Sequence, residues 1–112
     1  MSVTFAQGFS AAGVVAGISS VEGKKDLALV VNNGPLDAVA GVFTSNRFCA
    51  APVQWSRKAV ADGHAKAVIL NSGGANACTG EAGYQQSVST ASSFAFLTSP
   101  SVAKDRKSTR LN

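Results

Sequence analysis

Asp26-Leu27-Ala28-Leu29-Val30-Val31 is an almost unbroken apolar run that stops at Asn32-Asn33-Gly34-Pro35. A short apolar run closed by asparagine, glycine and proline predicts a buried strand followed by a turn. Residues 39–44, Val-Ala-Gly-Val-Phe-Thr, are a second β-branched and aromatic run, ended by the polar Ser45-Asn46-Arg47; they predict a second strand. From Pro52, a favoured first helical residue, Val53, Trp55, Ala59 and Val60 recur at helical spacing until Asp62-Gly63 stops the pattern. Ala67-Val68-Ile69-Leu70 predicts a third strand that runs straight into Asn71-Ser72-Gly73-Gly74. Residues 80–97 form a further helical span, with Thr79 placed to cap it. Strand, strand, helix, strand and helix in this order predict an α/β or α+β sheet covered on at least one face.

Composition narrows the class. A chain of 112 residues is at most one small domain or a piece of one. With 46% hydrophobic and 14% charged residues it has enough apolar material for a core, which excludes general disorder. No run of 18 uncharged apolar residues exists, which excludes a membrane-spanning helix. Residues 11–18 are apolar enough to suggest a signal peptide, but no lysine or arginine precedes Lys24, and a signal sequence needs that charge. The chain therefore reads as cytosolic.

The net charge of +4 is unevenly placed. Lys24, Lys25, Arg47, Arg57, Lys58 and Lys66 nearly balance Glu22, Asp26, Asp37, Asp62 and Glu81. The excess sits in the last nine residues, where Lys104, Arg106, Lys107 and Arg110 face only Asp105. A nearly neutral body without interleaved aromatics argues against nucleic-acid binding.

Few residues offer chemistry on their own. Cys49 and Cys78 have neither a C-x-x-C spacing nor a neighbouring histidine, and His64 is the only histidine. That is too few ligands for a metal site, so the cysteines are expected to be buried free thiols. His64, in Asp62-Gly63-His64, is expected on a solvated loop, and no histidine-based catalytic set assembles around it. The remaining candidate is residues 71–80, Asn-Ser-Gly-Gly-Ala-Asn-Ala-Cys-Thr-Gly. A strand that ends in two glycines lets another backbone or a ligand approach closely, and outward N–H groups there can cradle an anion or an oxyanion. The same pattern also suits a tight strand-to-helix connection, and it fits neither dinucleotide nor Walker glycine motifs.

Four ordered blocks carry a resemblance. They are Gly8-Phe9-Ser10-Ala11-Ala12-Gly13-Val14 with Ala16-Gly17-Ile18; Asp26-Leu27-Ala28-Leu29-Val30; Ala40-Gly41-Val42-Phe43-Thr44-Ser45-Asn46-Arg47 with Ala50-Ala51-Pro52-Val53 and Trp55-Ser56; and the decapeptide 71–80. Together, over roughly residues 4–86, the chain resembles the N-terminal part of the bifunctional ornithine acetyltransferase/N-acetylglutamate synthase family of arginine biosynthesis.

The resemblance implies a layered α/β sandwich of the N-terminal-nucleophile kind and a cytosolic acyltransferase. Such enzymes move an acetyl group from N-acetylornithine, and in some members from acetyl-CoA, to glutamate. No cofactor is implied. A precursor cuts itself before a threonine whose hydroxyl, activated by its own α-amine, attacks the acetyl carbonyl; the cleaved β chain is the partner, in heterotetramers. The nucleophile lies beyond this chain, which is expected to be inactive alone. Asn71, Ser72, Gly73, Gly74 and Asn76 are then scaffold for the active site. An oxyanion-stabilising Ser-Thr-Gly is expected after the second helix. Ser108-Thr109-Arg110 stands near that position and makes Thr109 the candidate, with arginine in place of glycine. Residues 1–101 match the family's α chain, whereas 102–112 are a basic tail expected to be truncated or non-native. Two other readings of the residues are a free-standing module that binds a small anion and a fragment of a related self-cleaving aminopeptidase.

Overall fold

The computed structural model describes residues 2–98 and 109–111. The elements in chain order are β1 (Phe9–Val14), β2 (Leu27–Asn32), α1 (Ala51–Ala59), β3 (Ala67–Asn71), α2 (Gly80–Thr98) and β4 (Thr109–Leu111). The strands form one sheet in the order β1-β2-β3-β4. β1 and β2 are antiparallel, with Phe9 opposite Asn32 and Val14 opposite Leu27. β2 and β3 are also antiparallel, with Leu27 opposite Asn71 and Leu29 opposite Ile69. β3 and β4 are parallel, and α2 is the crossover between them. The α/β class is as expected.

Side chains alternate across a strand, so the register sorts the sheet into two faces. Leu27, Leu29 and Ile69 point to the helical side, where Ile69 and Ala91 of α2 are buried with Trp55 of α1 and Phe94 packed against them. Trp55 also meets Tyr84 of α2 edge-on, ring centroids 6.4 Å apart, and Lys58 lies 4.9 Å from the Tyr84 ring centroid. These contacts bind α1 to α2 through aromatic surface and a lysine, consistent with the modest charge of the body. Ala28, Val30, Val68 and Leu70 lie on the other face and remain half-buried. Among the described residues the buried apolar set is Ile69 and four alanines, a thin core for this much hydrophobic sequence. Phe5, Leu36, Val42 and Phe48 are each more than three-quarters exposed.

Two expectations need correction. Residues 39–44 form no strand: among the described residues the ladder contact nearby is an isolated antiparallel bridge from Ala38 to His64. Phe43 instead lies under the Arg57 guanidinium, 5.6 Å from its ring centroid, and Arg57 donates to the Thr44 carbonyl at 3.0 Å. A β-rich composition specifies a strand only when a sheet edge is there to pair with it, and none reaches this segment among the described residues. Second, β1 was not anticipated. Its Ser-Ala-Ala-Gly centre lacks the alternation and β-branching that mark a strand, and it is formed by pairing along the whole of β2.

Candidate functional site

The decapeptide 71–80 joins β3 to α2 and is fastened from two sides. On the sheet side stands Asp26, one residue before β2 and 3% exposed. Its backbone N–H donates to the Val14 carbonyl at 3.1 Å, and its carbonyl accepts from the Ser72 N–H at 2.9 Å. One carboxylate oxygen accepts from the Ala16 N–H at 2.7 Å, and the other from Ile18 and Ser19 at 2.6 and 2.8 Å. The Ser19 and Ala16 N–H groups hold this carboxyl below the usual carboxylate range, against the opposing effect of burial. A charged carboxylate taken out of water is tolerable because amide donors surround it.

The loop so fixed, residues 16–19, seats directly on Gly73. A Cβ at Gly73 would lie 2.6 Å from the Cα of Ser19 and 2.8 Å from its Cβ, and the glycine has φ +98°. The close approach expected of the paired glycines is therefore realised, with the chain's own backbone as the approaching group. On the helical side, Asn76 fills the corresponding role. Its amide Nδ2 donates to the Gly83 carbonyl at 2.7 Å and to Ser87 Oγ at 3.1 Å, and its carbonyl oxygen accepts the Thr79 hydroxyl. Its backbone carbonyl accepts the Ala51 N–H at 3.0 Å and so ties the loop to the start of α1. Gly83 is required here, since a Cβ would overlap the Thr79 side chain. Thr79 stands before α2 as expected, but its hydroxyl serves Asn76.

Behind the loop lies a cleft of about 220 Å³, lined by Asn71, Gly74 and Asn76 from the decapeptide, Ile18 and Leu27, Pro52 of α1, and Gln86, Ser87 and Thr90 of α2. Ser72 and Gly73, also candidates, face the Asp26 carbonyl and Ser19 and do not line it. Thr90 turns its hydroxyl back to the Gln86 carbonyl at 2.8 Å. Ile18, Gln86 and Thr90 were not foreseen: they come from segments whose only sequence signals are an apolar run and a serine-rich helix. Thr109 lies apart. It pairs with Ala67 at the start of β3, four residues along that strand from Asn71, which is about 13 Å at ~3.3 Å per residue. Residues 102–108 of the basic tail and Asn112 lie outside the described residues.

The other candidate side chains are elsewhere. The His64 ring meets the Asp37 carboxylate at 2.7 Å on the surface, and this hydrogen bond keeps Asp37 below its ordinary range. Cys49 is half-buried and Cys78 exposed, so the expectation of two buried thiols is not met. Among the described residues no group of His, Cys, Asp and Glu side chains is placed to hold a metal ion, and no helix is long and apolar enough to cross a membrane.

The ArgJ family model matches residues 10–106, most of the chain. The chain belongs to the ArgJ family. Among curated relatives, the arginine biosynthesis bifunctional protein ArgJ of Bifidobacterium longum is 90% identical over 97 residues, covering 87% of this chain and 25% of that protein. Its Mycobacterium tuberculosis counterpart is 56% identical over 93 residues, 83% of this chain and 23% of that protein. The fold agrees with solved ArgJ structures. Ornithine acetyltransferase from M. tuberculosis, crystallised with ornithine, superposes with a TM-score of 0.84 at 48% identity, over 94% of this chain and 54% of that one. ArgJ of Bacillus halodurans gives 0.81 at 31% identity, over 100% of this chain and 56% of that one. The chain thus spans about a quarter of the length of the curated ArgJ relatives it matches, and corresponds to their N-terminal part.

Proposed function

We propose that this chain is the N-terminal part of a glutamate N-acetyltransferase precursor of arginine biosynthesis, and that its loop 71–80 builds one wall of the active site. The observation that carries the reading is 90% identity to a bifunctional ArgJ, joined to a fold that superposes at 0.84 on an ornithine-complexed acetyltransferase. A cleft of 220 Å³ is smaller than the ~300–1,000 Å³ of most ligand pockets, as suits a site with one wall in place.

The chemistry is acyl transfer from N-acetylornithine to glutamate, with acetyl-CoA the second donor in a bifunctional enzyme. A threonine freed at the N-terminus of the second chain attacks the acetyl carbonyl, ornithine departs with the proton, and the α-amine of glutamate then takes the acetyl group from the threonine ester. A crystallised relative shorter than its curated counterpart supports that reading. Nearly the same segment fills 23% of the curated M. tuberculosis protein but 54% of the crystallised chain from that organism, so the crystallised chain is about half the curated length. The half-buried Ala28, Val30, Val68 and Leu70 suit a layer that the remainder of the protein covers, as in a layered sandwich. The cleaved second chain, in a heterotetramer, and a cytosolic setting complete the reading. The threonine nucleophile and the groups that bind glutamate are assigned to that second part, and this chain by itself is inactive.

The test is direct. Full-length protein given N-acetylornithine and glutamate, without acetyl-CoA, is expected to release ornithine and N-acetylglutamate in equal amounts. Absence of both products from correctly folded protein overturns the assignment.

A further inference from the structure

A second cavity, also about 220 Å³, lies where the approach to α1 meets the end of the decapeptide. Cys49 and Cys78 both line it, with Gln54, Glu81 and Tyr84 among its other walls. The two thiols are 29 positions apart in sequence, and the fold brings them to one small space. The hydrogen bond from the Ala51 N–H to the Asn76 carbonyl, 3.0 Å, pins the two segments together. Cys49 lies two residues before Ala51 and Cys78 two residues after Asn76, so each thiol is within two residues of that bond and both reach the same cavity. Neither thiol is committed to a disulfide. The Cys49 Sγ–H donates to the Asn46 carbonyl at 3.0 Å, a weak bond that a rotation about its side chain releases. The Cys49 carbonyl is held by the Gln54 amide at 3.0 Å, which fixes its backbone. Cys78 is exposed and sits at φ +56°, on the last turn of the loop before α2.

We propose that Cys49 and Cys78 are a redox modification site, a dithiol that peroxides convert to a disulfide. The exposed Cys78 reacts first. Its sulfur attacks one peroxide oxygen, the O–O bond breaks, and Cys78 becomes a sulfenic acid as one water leaves. The Cys49 sulfur then attacks the Cys78 sulfur, the S–O bond breaks, and a second water departs with the Cys49 proton. Two thiols are oxidised by two electrons, and one hydrogen peroxide is reduced to two waters. The product joins the approach of α1 to the decapeptide and adds a covalent tie beside the Ala51–Asn76 hydrogen bond. A sulfur–sulfur bond requires Cα atoms within about 7 Å of each other and side chains directed toward one another, and the shared cavity beside the Ala51–Asn76 hydrogen bond favours that approach.

Peptide mapping of the full-length protein after treatment with a few equivalents of hydrogen peroxide tests this. The expected result is a non-reduced cross-linked peptide pair containing Cys49 and Cys78, two hydrogens lighter than the sum of its thiol forms. Both residues should lose iodoacetamide labelling together and regain it with dithiothreitol. In Cys49→Ser, Cys78 is expected to accumulate as a sulfenic acid that dimedone traps; in wild type that adduct should be at least several-fold weaker. Cys78→Ser supplies the reciprocal control, with Cys49 left reactive to iodoacetamide. Equal dimedone labelling of Cys78 in wild type and Cys49→Ser, or independent loss of the two thiols without a linked peptide, overturns the proposal.

Discussion

Asp26 is the residue whose contacts reach furthest. Its N–H, carbonyl and both carboxylate oxygens bind β1, the loop 16–19 and the start of the decapeptide at once. Because its folded pKa lies below that of the unfolded chain, near ~3.9 for a free aspartate, the stabilisation it gives is full above that value. It is lost as pH falls through the folded pKa. Asp26→Asn in the full-length protein is therefore expected to unfold at lower denaturant than wild type at pH 7, with the gap closing under acid. A gap independent of pH would show that the charge is not what the loop depends on. Gly73→Ala carries the complementary strain, since the left-handed backbone alone costs about 1–2 kcal/mol before the overlap with Ser19 is counted. It should lower the denaturation midpoint accordingly, whereas Gly74→Ala, whose Cβ would meet only Ile18 Cγ2 at 3.5 Å, should cost less.

At the scale of elements, the decapeptide is a joint between β3, α1 and α2, and Asn76 is its centre. Asn76→Ala leaves the Gly83 carbonyl and the buried Ser87 hydroxyl without that donor and should destabilise by about 1–3 kcal/mol, measured by denaturant unfolding of the full-length protein. A loss below a few tenths would mean that water replaces the amide at no cost. Ile69→Ala removes the one large side chain at the centre of the core and is expected to cost about 2–5 kcal/mol. The elements differ in how far the sequence reveals them. β2, β3 and α1 were legible because apolar runs closed by turn residues, and Pro52 at a helix start, act locally, and α2 because Thr79-Gly80 marks where its span opens. β1 was not, since Ser10-Ala11-Ala12-Gly13 becomes a strand only through its partner β2. Residues 39–44 show the reverse error: β-branched and aromatic, yet without an edge to join. Within the site, Asn71, Gly74 and Asn76 were readable from the decapeptide, while Asp26 and Ile18 reach it by tertiary contact. No spacing rule connects residue 26 to residue 73.

For the whole molecule, the thin buried core and the apolar residues left at the surface argue that these elements are one layer of a larger body. Phe5, Leu36, Val42 and Phe48 are exposed here, and the curated relatives are about four times as long as the matched segment. Hydrogen exchange on the full-length protein should find the amides of residues 28, 30, 68 and 70 strongly protected and the peptide around Val42 and Phe48 slower to exchange than in the isolated 112-residue chain. Equal rates in the two would mean that nothing covers these surfaces.

The proposed function makes this chain the N-terminal part of a self-cleaving acetyltransferase. Intact mass spectrometry of the purified full-length protein under denaturing conditions tests it most directly. Two chains are expected, the first containing residues 1–101 and the second beginning at a threonine. A single uncut chain that nevertheless exchanges acetyl groups between ornithine and glutamate would overturn the N-terminal threonine mechanism, and an uncut, inactive one would overturn the acetyltransferase assignment.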